Sequence, residues 1–352
     1  MDLTKITPKP VVCRQSTMAC ALACPRKWWC QYRMGITLRG TQVRESATLG
    51  TIYHRLQCLG PGSEAKVKAE VSKQQQTLME QVNRGEDIDG QTERLAGMLT
   101  TLYNKATVMA RVFWERYPQP SYFETIGTEI KHAMELEGMV FEGTVDKLLL
   151  NTKGPKGPEI WIRDHKSTGR SLSALFGGMA WSLQARVYRL LAMDYIRDTP
   201  NRNFPVRGFI LDGITAPGIK LCKTDEKNAK EWNVPVEDAY LRRVRGWYAE
   251  RGDEVCLSRA LFYTERSISD EFTYATSRMF CLKAKNPAEV DQFDRDMTHR
   301  ECFAYEKQCP YHDLCSTDPA QWDQLFETKY RFEEKGTDDE NSEVVVPDSD
   351  VG

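Results

Sequence analysis

The sequence predicts a mixed α/β fold whose core runs helix, three strands, helix, strand. In the first 120 residues apolar side chains recur mainly at helical spacing, whereas from about residue 122 they fall in short runs rich in β-branched and aromatic residues. A long amphipathic segment, residues 179–197, separates the third of these runs from the fourth. The 352 residues are enough to bury one large core or two modest ones.

Helices dominate the predicted N-terminal part. The last of them has apolar residues at helical spacing from Leu95 to Phe113, so we expect it to pack on the core. A polar turn separates it from the helix before it. The predicted helices span residues 16–34, 46–59, 63–84 and 91–117.

The predicted strands begin with a hairpin, because Leu136, Glu137 and Gly138 supply a tight turn between the first two. The amphipathic helix connects the third strand to the fourth, and two more helices follow. The strands span residues 122–134, 139–150, 159–166 and 205–214, and the later helices span residues 235–251 and 287–300.

Four regions are expected along the chain. They are a helical part (1–120), the strand-bearing core (121–265), helices with a cysteine-rich segment (266–330), and an acidic disordered tail (331–352). The tail carries eight carboxylates against two basic residues, and the net charge is −2. The rest of the chain therefore carries about +4, which permits a polyanionic partner without demanding one.

The composition excludes a membrane-spanning class. No apolar run reaches the roughly 18 residues that cross a bilayer, and the N-terminus lacks the continuous apolar stretch of a signal peptide. Eleven cysteines, an odd number without a secretion signal, argue against a disulfide framework. We therefore expect an intracellular, cytoplasmic protein without a membrane partner, in which some cysteines bind a metal or a cluster.

Two acidic residues and a lysine indicate phosphodiester hydrolysis. Asp164, His165 and Lys166 end the apolar third strand, and Asp146 closes the run GTVD on the second. Alternation along a strand puts Asp164 and Lys166 on one face. Carboxylates suit Mg²⁺ or Mn²⁺, and a nearby lysine can orient the attacking water or stabilise developing charge. Because five other acidic-x-Lys triplets occur in the chain, the position at a strand end carries this prediction.

The order of these motifs resembles that of the PD-(D/E)XK nucleases, and within them the RecB-like group, which includes the AddB nuclease domain and the CRISPR-associated iron–sulfur nucleases. That group has a histidine on an early helix, G-x-x-D on one strand, [DE]-x-K on the next, and Q-x-x-x-Y on a helix. The matching residues are His54 in GTIYH, Asp146 in GTVD, Asp164 and Lys166 in DHK, and Gln184 and Tyr188 in QARVY. The resemblance covers residues 16–315 as short motifs, and it implies a restriction-endonuclease-like core with metal-dependent nuclease activity.

The resemblance also implies a role for each residue. In the family, Asp164 is often Glu, whose longer side chain would space the metal differently. Taken singly, His54 could be an ordinary helix histidine, and residues one helical turn apart such as Gln184 and Tyr188 are usually surface contacts. The implied catalytic residues are Glu129, as a supporting acid, Asp146, Asp164, Lys166, Gln184 and Tyr188. The implied metal ligands are His54, Asp146, Asp164 and the carbonyl of His165.

A second resemblance involves cysteines from both ends of the chain. Cys302, Cys309 and Cys315 lack the close Cys-x2–4-Cys pairs of a zinc site. In the RecB-like iron–sulfur nucleases, three C-terminal cysteines and one N-terminal cysteine hold a [4Fe–4S] cluster that joins the two ends of the chain. The resemblance implies that Cys24 is the N-terminal ligand here.

Alternatives to this cluster stay open at the level of the sequence. Cys20 or Cys30 could replace Cys24, and Cys281 could replace Cys302. Zinc could replace the cluster, with His312 as a ligand.

The resemblance implies a DNA substrate, favours exonuclease action on single strands or DNA ends, and suggests recombination or repair. No Walker A motif is present, so a helicase or recombination partner would be a separate chain. The alternatives are a non-catalytic DNA-binding or assembly subunit with the same fold, and a zinc-stabilised interaction protein. Candidate nucleic-acid contacts are Arg26, Lys27, Trp28, Trp29, Lys153, Lys156, Arg242, Arg243 and Arg245, although the two tryptophans are more typical of a core.

Overall fold

The computed structural model describes residues 8–38, 45–85, 90–179, 182–263, 270–296, 302–303, 308–317, 321–322 and 326–328. The helices are α1 (Gln15–Ala23), α2 (Pro25–Trp28), α3 (Glu45–Leu59), α4 (Glu64–Asn83), α5 (Gln91–Arg116), α6 (Leu172–Gly177), α7 (Leu183–Arg197), α8 (Lys223–Trp232), α9 (Val236–Arg251), α10 (Asp270–Lys283) and α11 (His312–Ser316). The strands are β1 (Val12–Cys13), β2 (Ile36–Leu38), β3 (Phe123–Leu136), β4 (Met139–Asn151), β5 (Glu159–Thr168), β6 (Val206–Thr215), β7 (Cys256–Phe262) and β8 (Phe326–Thr328). None of the described helices has both the length and the apolar character that crossing a bilayer requires.

Six strands form one mixed sheet in the order β1-β4-β5-β6-β7, with β3 joined to β4 as a hairpin. Strand β5 runs antiparallel to β4 and parallel to β6, and β7 is antiparallel to β6. The parallel β5–β6 pair needs a crossover connection, which α6 and α7 supply. This architecture confirms the predicted mixed α/β class and is consistent with a restriction-endonuclease-like fold.

Two apolar clusters pack the helices. The larger joins α1, α7 and α10 to the central strands, and the smaller joins α3, α4, α5 and α9 to Ile214 and Cys256 of the sheet. Leu99, Ala106 and Phe113 of α5 are buried in the smaller cluster, which confirms the prediction that this helix packs on the core.

The predicted helix over residues 16–34 is interrupted at Cys24. Because proline lacks an N–H donor and restricts the residue before it, Cys24 adopts an extended conformation (φ −152°, ψ 102°) and α1 ends at Ala23. Pro25 then opens α2, where its missing donor costs nothing. A π-helical turn, Trp29–Arg33, continues the segment.

The predicted helix over residues 287–300 is wrong for the part that the structure describes. Residues 287–296 contain one 3₁₀ turn, Val290–Gln292, and residues 297–300 lie outside the described residues. Phe293 turns inward against Trp28 and Trp29, with ring centroids 6.3 and 5.8 Å apart. These contacts between the two ends of the chain override the local helical pattern.

The predicted helix 179–197 is also shorter in the structure. Helix α7 begins only at Leu183, where the Ser182 hydroxyl accepts a hydrogen bond from the Ala185 N–H at 3.4 Å. The short helix α6 precedes it and was not predicted. Helix α8, strand β7 and helix α10 were also not predicted.

Candidate active site

The predicted site residues lie on five elements that meet where the paired segment of β4 and β5 ends. The prediction that Asp164–Lys166 ends its strand is wrong, because β5 continues to Thr168. Strand β4 carries Asp146 and β5 carries Asp164 and Lys166, while α3 and α7 flank them. The pairing of Lys147 with Arg163 sets the register of β4 on β5, so Asp146 and Asp164 fall side by side on the sheet. The remaining members of the site are His54 on α3, Glu129 on β3, and Gln184 and Tyr188 on α7.

Asp146 is buried and held by two donors. Its Oδ2 lies 2.7 Å from His54 Nε2 and accepts a hydrogen bond from the His165 backbone N–H at 2.9 Å. Burial alone would raise the pKa of Asp146, but the ion pair and hydrogen bond with His54, together with Lys166, hold it below its usual range. By the same contact, Asp146 raises the pKa of His54 well above its usual value although burial opposes this. Asp146 is therefore an anion throughout the physiological range.

Asp164 has no exposed surface, and its two oxygens are differently placed. Its Oδ1 accepts a hydrogen bond from Gln184 Nε2 at 2.9 Å, whereas its Oδ2 lies 3.4 Å from Lys166 Nζ. No residue that the structure describes donates a well-directed hydrogen bond to this Oδ2. Burial raises the pKa of Asp164 to about 7, with Lys166 opposing the rise and Asp146 adding to it. A buried carboxylate oxygen in this condition is suited to a cation.

Lys166 and Tyr188 complete the polar centre. Burial lowers the pKa of Lys166, but the two carboxylates outweigh it and raise the pKa above the usual value, so the ammonium keeps its proton. Its side chain is 39% exposed and reaches solvent. Burial, followed by the charges of Asp146 and Asp164, raises the pKa of Tyr188 well above its usual value, so this hydroxyl stays neutral.

The side chain of His165 lies on the opposite face of β5 from the two carboxylates. Its Nδ1 lies 3.0 Å from Oδ2 of Asp212, a buried residue opposite it on β6. Asp212 also accepts hydrogen bonds from Arg163 Nε at 2.5 Å and from the Ser258 hydroxyl at 2.6 Å. The sequence reasoning missed this network, which supports β5 from behind. The described contact of His165 with the site itself is its backbone N–H on Asp146.

Glu129 contacts α3 from the neighbouring strand. It takes a left-handed backbone conformation, φ 49°, which is uncommon for a non-glycine residue. Its carboxylate pairs with Arg55, and it shares a group of converging side chains with His54 and Cys58. Cys58 was missed from the sequence, although it follows His54 by one helical turn.

Arg189 on α7 was also missed. Its Nε and Nη1 are buried without a hydrogen-bond partner among the described residues. Its guanidinium lies over the Tyr263 ring, 5.0 Å from the centroid, and Tyr263 lies within electrostatic reach of Asp164. A half-buried guanidinium with unsatisfied donors is suited to a phosphate.

The predicted cluster cysteines come from ends of the chain that pack together. The Trp29 indole N–H donates to the Pro287 carbonyl at 2.9 Å, and the Tyr311 hydroxyl donates to the Ile36 carbonyl at 2.9 Å. Strands β2 and β8 pair antiparallel, which ties residues 36–38 to residues 326–328. These contacts bring the N-terminal cysteines into the neighbourhood of the C-terminal ones.

Cys24, Cys309 and Cys315 interact electrostatically with one another, and Cys302 interacts with Cys309. Burial raises the pKa of the Cys315 thiol to about 11. Cys30 is also near this group, but it has no exposed surface and its pKa is raised well above the usual value, first by burial.

Two of the candidate nucleic-acid contacts belong to the core, because Trp28 and Trp29 are at most 1% exposed. Two arginines are occupied by carboxylates, Arg243 with Asp225 and Arg245 with Glu115, each at 2.7 Å. Lys153 and Lys156 are exposed in the loop between β4 and β5.

A comparison with protein-family models matches residues 15–316 to the PD-(D/E)XK nuclease superfamily. A search of curated individual proteins gives no match. Members of this superfamily are mostly nucleases that use divalent metals. The match spans most of the chain and contains both the paired carboxylates and the cysteines from the two ends. The chain therefore belongs to the PD-(D/E)XK nuclease superfamily.

Proposed function

We propose that this protein is a metal-dependent deoxyribonuclease whose centre is formed by Asp146, Asp164 and Lys166. The observation that carries the proposal is the buried Asp164 Oδ2, which lies beside a second carboxylate and accepts no well-directed hydrogen bond within the described residues. Carboxylate oxygens are the ligands that Mg²⁺ and Mn²⁺ prefer, so this donor set fits such an ion. The ion would neutralise charge on the phosphate and acidify a water molecule.

The other steps, which are binding the ion, positioning its ligands and activating water, are assigned to separate residues. Asp146 and Asp164 hold the ion, with His54 and the His165 carbonyl as further ligands. Gln184 fixes Asp164 by donating to its Oδ1 at 2.9 Å, which would leave Oδ2 available to the ion. Lys166 stays protonated and orients the attacking water or stabilises charge developing on the phosphate.

Tyr188 and Glu129 support this centre from its two sides. Tyr188, a neutral hydroxyl near both carboxylates, shapes the site and contacts the substrate. Glu129 acts as the supporting acid from β3. Arg189 binds a phosphate of the strand through its unsatisfied donors.

The favoured substrate is single-stranded DNA or a DNA end, which the enzyme digests as an exonuclease in recombination or repair. The support is the order of RecB-like motifs around His54, Asp146, Asp164 and Gln184. A separate helicase or recombination protein would deliver such a strand.

The test is anaerobic cleavage with Mg²⁺ or Mn²⁺ on four substrates of equal concentration. These are end-labelled linear single strands, linear duplex, closed circular single-stranded DNA, and RNA. We expect cleavage of linear DNA, sparing of the circles, and little cleavage of RNA. Cleavage of the circles would contradict the exonuclease assignment. No cleavage by protein with an intact metal site would favour a non-catalytic DNA-binding subunit.

We further propose that Cys24, Cys302, Cys309 and Cys315 hold a [4Fe–4S] cluster. The supporting observations are the packing of the two chain ends and the electrostatic contacts among Cys24, Cys309 and Cys315. Four thiolates suit a [4Fe–4S] cluster, which places iron and sulfide between the cysteines.

The cluster is structural, since it closes a loop of nearly the whole chain and so constrains the unfolded state. The test measures iron and acid-labile sulfide in anaerobically purified protein and in Cys→Ser variants. We expect Cys24→Ser and Cys309→Ser to lose iron and sulfide. We expect Cys281→Ser and Cys222→Ser, which replace exposed cysteines, to retain them. Retention in Cys24→Ser with loss in Cys30→Ser would assign the fourth ligand to Cys30, and zinc without sulfide would refute the cluster.

A further inference from the structure

Three side chains of different chemistry converge beside the carboxylate pair. His54, Cys58 and Glu129 each offer one ligand atom, and these atoms all lie within 4.8 Å of one another. The group combines an imidazole, a thiol and a carboxylate, which is a donor set for a borderline ion such as Zn²⁺. Mg²⁺ disfavours the sulfur and nitrogen of such a set. The site therefore differs in metal preference from its neighbour.

The spacing on α3 fits one ion. His54 and Cys58 are four residues apart and so share a helix face. The Cys58 Sγ lies 3.7 Å from both ring nitrogens of His54. Zinc bonded to sulfur at about 2.3 Å and to nitrogen at about 2.05 Å, with tetrahedral geometry, separates these atoms by about 3.6 Å. The observed separation is therefore close to the one that a shared zinc ion requires.

The imidazole already has a carboxylate partner. Asp146 Oδ2 lies 2.7 Å from Nε2 of His54, and the other ring nitrogen, Nδ1, lies 3.7 Å from the Cys58 Sγ. A carboxylate bonded to one nitrogen of a metal-binding histidine is the usual arrangement behind zinc ligands. Asp146 can therefore support His54 at this second site.

Glu129 reaches the group from β3. Its backbone is left-handed, φ 49°, and its carboxylate pairs with Arg55 of α3. Arg55 also bonds both oxygens of Glu70, each at 2.9 Å, so Arg55 keeps a partner when Glu129 turns to an ion.

We propose that His54, Cys58 and Glu129 form a second metal site that binds a borderline ion such as Zn²⁺ and thereby inhibits the protein. Binding releases the thiol proton of Cys58 and one ring proton of the His54 imidazolium to solvent, and the thiolate and the Glu129 carboxylate then neutralise the two charges of the ion. A neutral imidazole has one lone pair, so His54 serves either this site or the carboxylate site, but not both. The inhibition rests on the proposed nuclease function, whereas zinc binding does not.

The binding test titrates Zn²⁺ into protein that retains its other metal centres, in competition with a chromophoric chelator. Cys58→Ser and Glu129→Gln remove ligands, Asp164→Asn alters the neighbouring site, and Cys222→Ser removes an exposed thiol. We expect one tight equivalent in the wild type, weakened at least about 100-fold by Cys58→Ser and about 10-fold by Glu129→Gln. Asp164→Asn and Cys222→Ser should leave it unchanged.

Two results would overturn the site. Equal zinc affinity in wild type and Cys58→Ser would show that the Cys58 thiolate is not a ligand. Loss of zinc binding in Asp164→Asn would show that zinc binds at the carboxylate pair instead. Cys58→His guards against a folding defect in the serine variant, because it keeps a zinc ligand. That variant should retain zinc but bind Cd²⁺ less tightly relative to Zn²⁺ than the wild type does, because imidazole is a harder ligand than thiolate. An unchanged ratio of the two affinities would also refute the proposal.

Inhibition is tested separately, as the ratio of Mn²⁺-dependent cleavage with and without one equivalent of Zn²⁺, taken within each variant. The ratio should fall at least about 10-fold in the wild type and stay near one in Cys58→Ser. Zinc that binds through Cys58 without lowering the ratio would refute the inhibition and leave the metal site standing.

Discussion

Asp212 supports the candidate site from the far side of the sheet, and its substitution by asparagine should destabilise the protein strongly. The residue has no exposed surface and contacts Arg163 at 2.5 Å, Ser258 at 2.6 Å and His165 at 3.0 Å. Asparagine has nearly the same shape but no charge, so Asp212→Asn leaves the Arg163 guanidinium buried without its counterion. The perturbation is therefore one of charge rather than of packing.

The magnitude follows from burial. Removing one partner of a buried ion pair costs about 3–5 kcal/mol, because the other charge stays desolvated. The Arg163 side chain is 10% exposed, and asparagine can still accept a hydrogen bond, so we expect about 3 kcal/mol. The matched control is Asp253→Asn, whose aspartate pairs with Arg116 at 3.0 Å but is 77% exposed. An exposed pair of this kind contributes about 0–1 kcal/mol.

The assay is anaerobic urea unfolding of the wild type and both variants, with free energies compared at a shared m-value. Burial raises the pKa of Asp212, but Arg163 and His165 outweigh it, so the pKa stays below its usual range. A depressed carboxylate pKa gives stability that is present above the unfolded value of about 3.9 and is lost as pH falls through the folded value. The difference between Asp212→Asn and wild type should therefore persist from pH 8 to pH 5. A loss no larger than that of Asp253→Asn would refute the reasoning.

Two further predictions concern the carboxylate centre. Burial raises the pKa of Asp164 to about 7, and the contact with Asp146 raises the pKa of His54 above its usual value, so an incoming ion must displace protons from both ligands. Mn²⁺ affinity, measured by calorimetry, should therefore rise at least about 10-fold per pH unit below pH 7 and continue to rise above it. An affinity independent of pH between 5.5 and 7 would contradict this, and Asp164→Asn should make the rise below pH 7 less steep. Gln184→Ala removes the hydrogen bond to Asp164 Oδ1, so kcat should fall about 10- to 100-fold while DNA affinity, measured by fluorescence anisotropy, stays within about twofold. A fall confined to DNA affinity would make Gln184 a substrate contact instead.

The parts of the fold that the sequence predicted well are those with local causes. The hairpin turn at Glu137–Gly138 and the core face of α5 depend on residues close together in the chain, and the structure has both. Pro25 was also a local signal for a helix break. The apolar residues on both sides of it nevertheless favoured one continuous helix, so the break was not predicted. Helix α8 has only one buried apolar residue, Ala229, so no apolar stripe marked it, and β7 is an edge strand with exposed positions.

The site was predictable where strand alternation sufficed and not where distant residues meet. Asp164 and Lys166 follow from their spacing on one strand, and their 3.4 Å contact is present in the structure. Asp212 is 48 positions beyond Asp164 and reaches β5 only through the β5–β6 pairing, which no motif encodes. Cys58 was marked by its helical spacing from His54, but eleven cysteines in the chain made that signal inconspicuous.

The most direct test of the account is single-turnover cleavage of linear single-stranded DNA in Mn²⁺ by wild type, Lys166→Ala and Lys66→Ala. Lys66 belongs to another acidic-x-Lys triplet, Glu64–Lys66, but lies exposed on α4. The account predicts that Lys166→Ala lowers the rate constant by at least about 100-fold and that Lys66→Ala leaves it unchanged. Equal rate constants for wild type and Lys166→Ala would contradict the assignment of this centre.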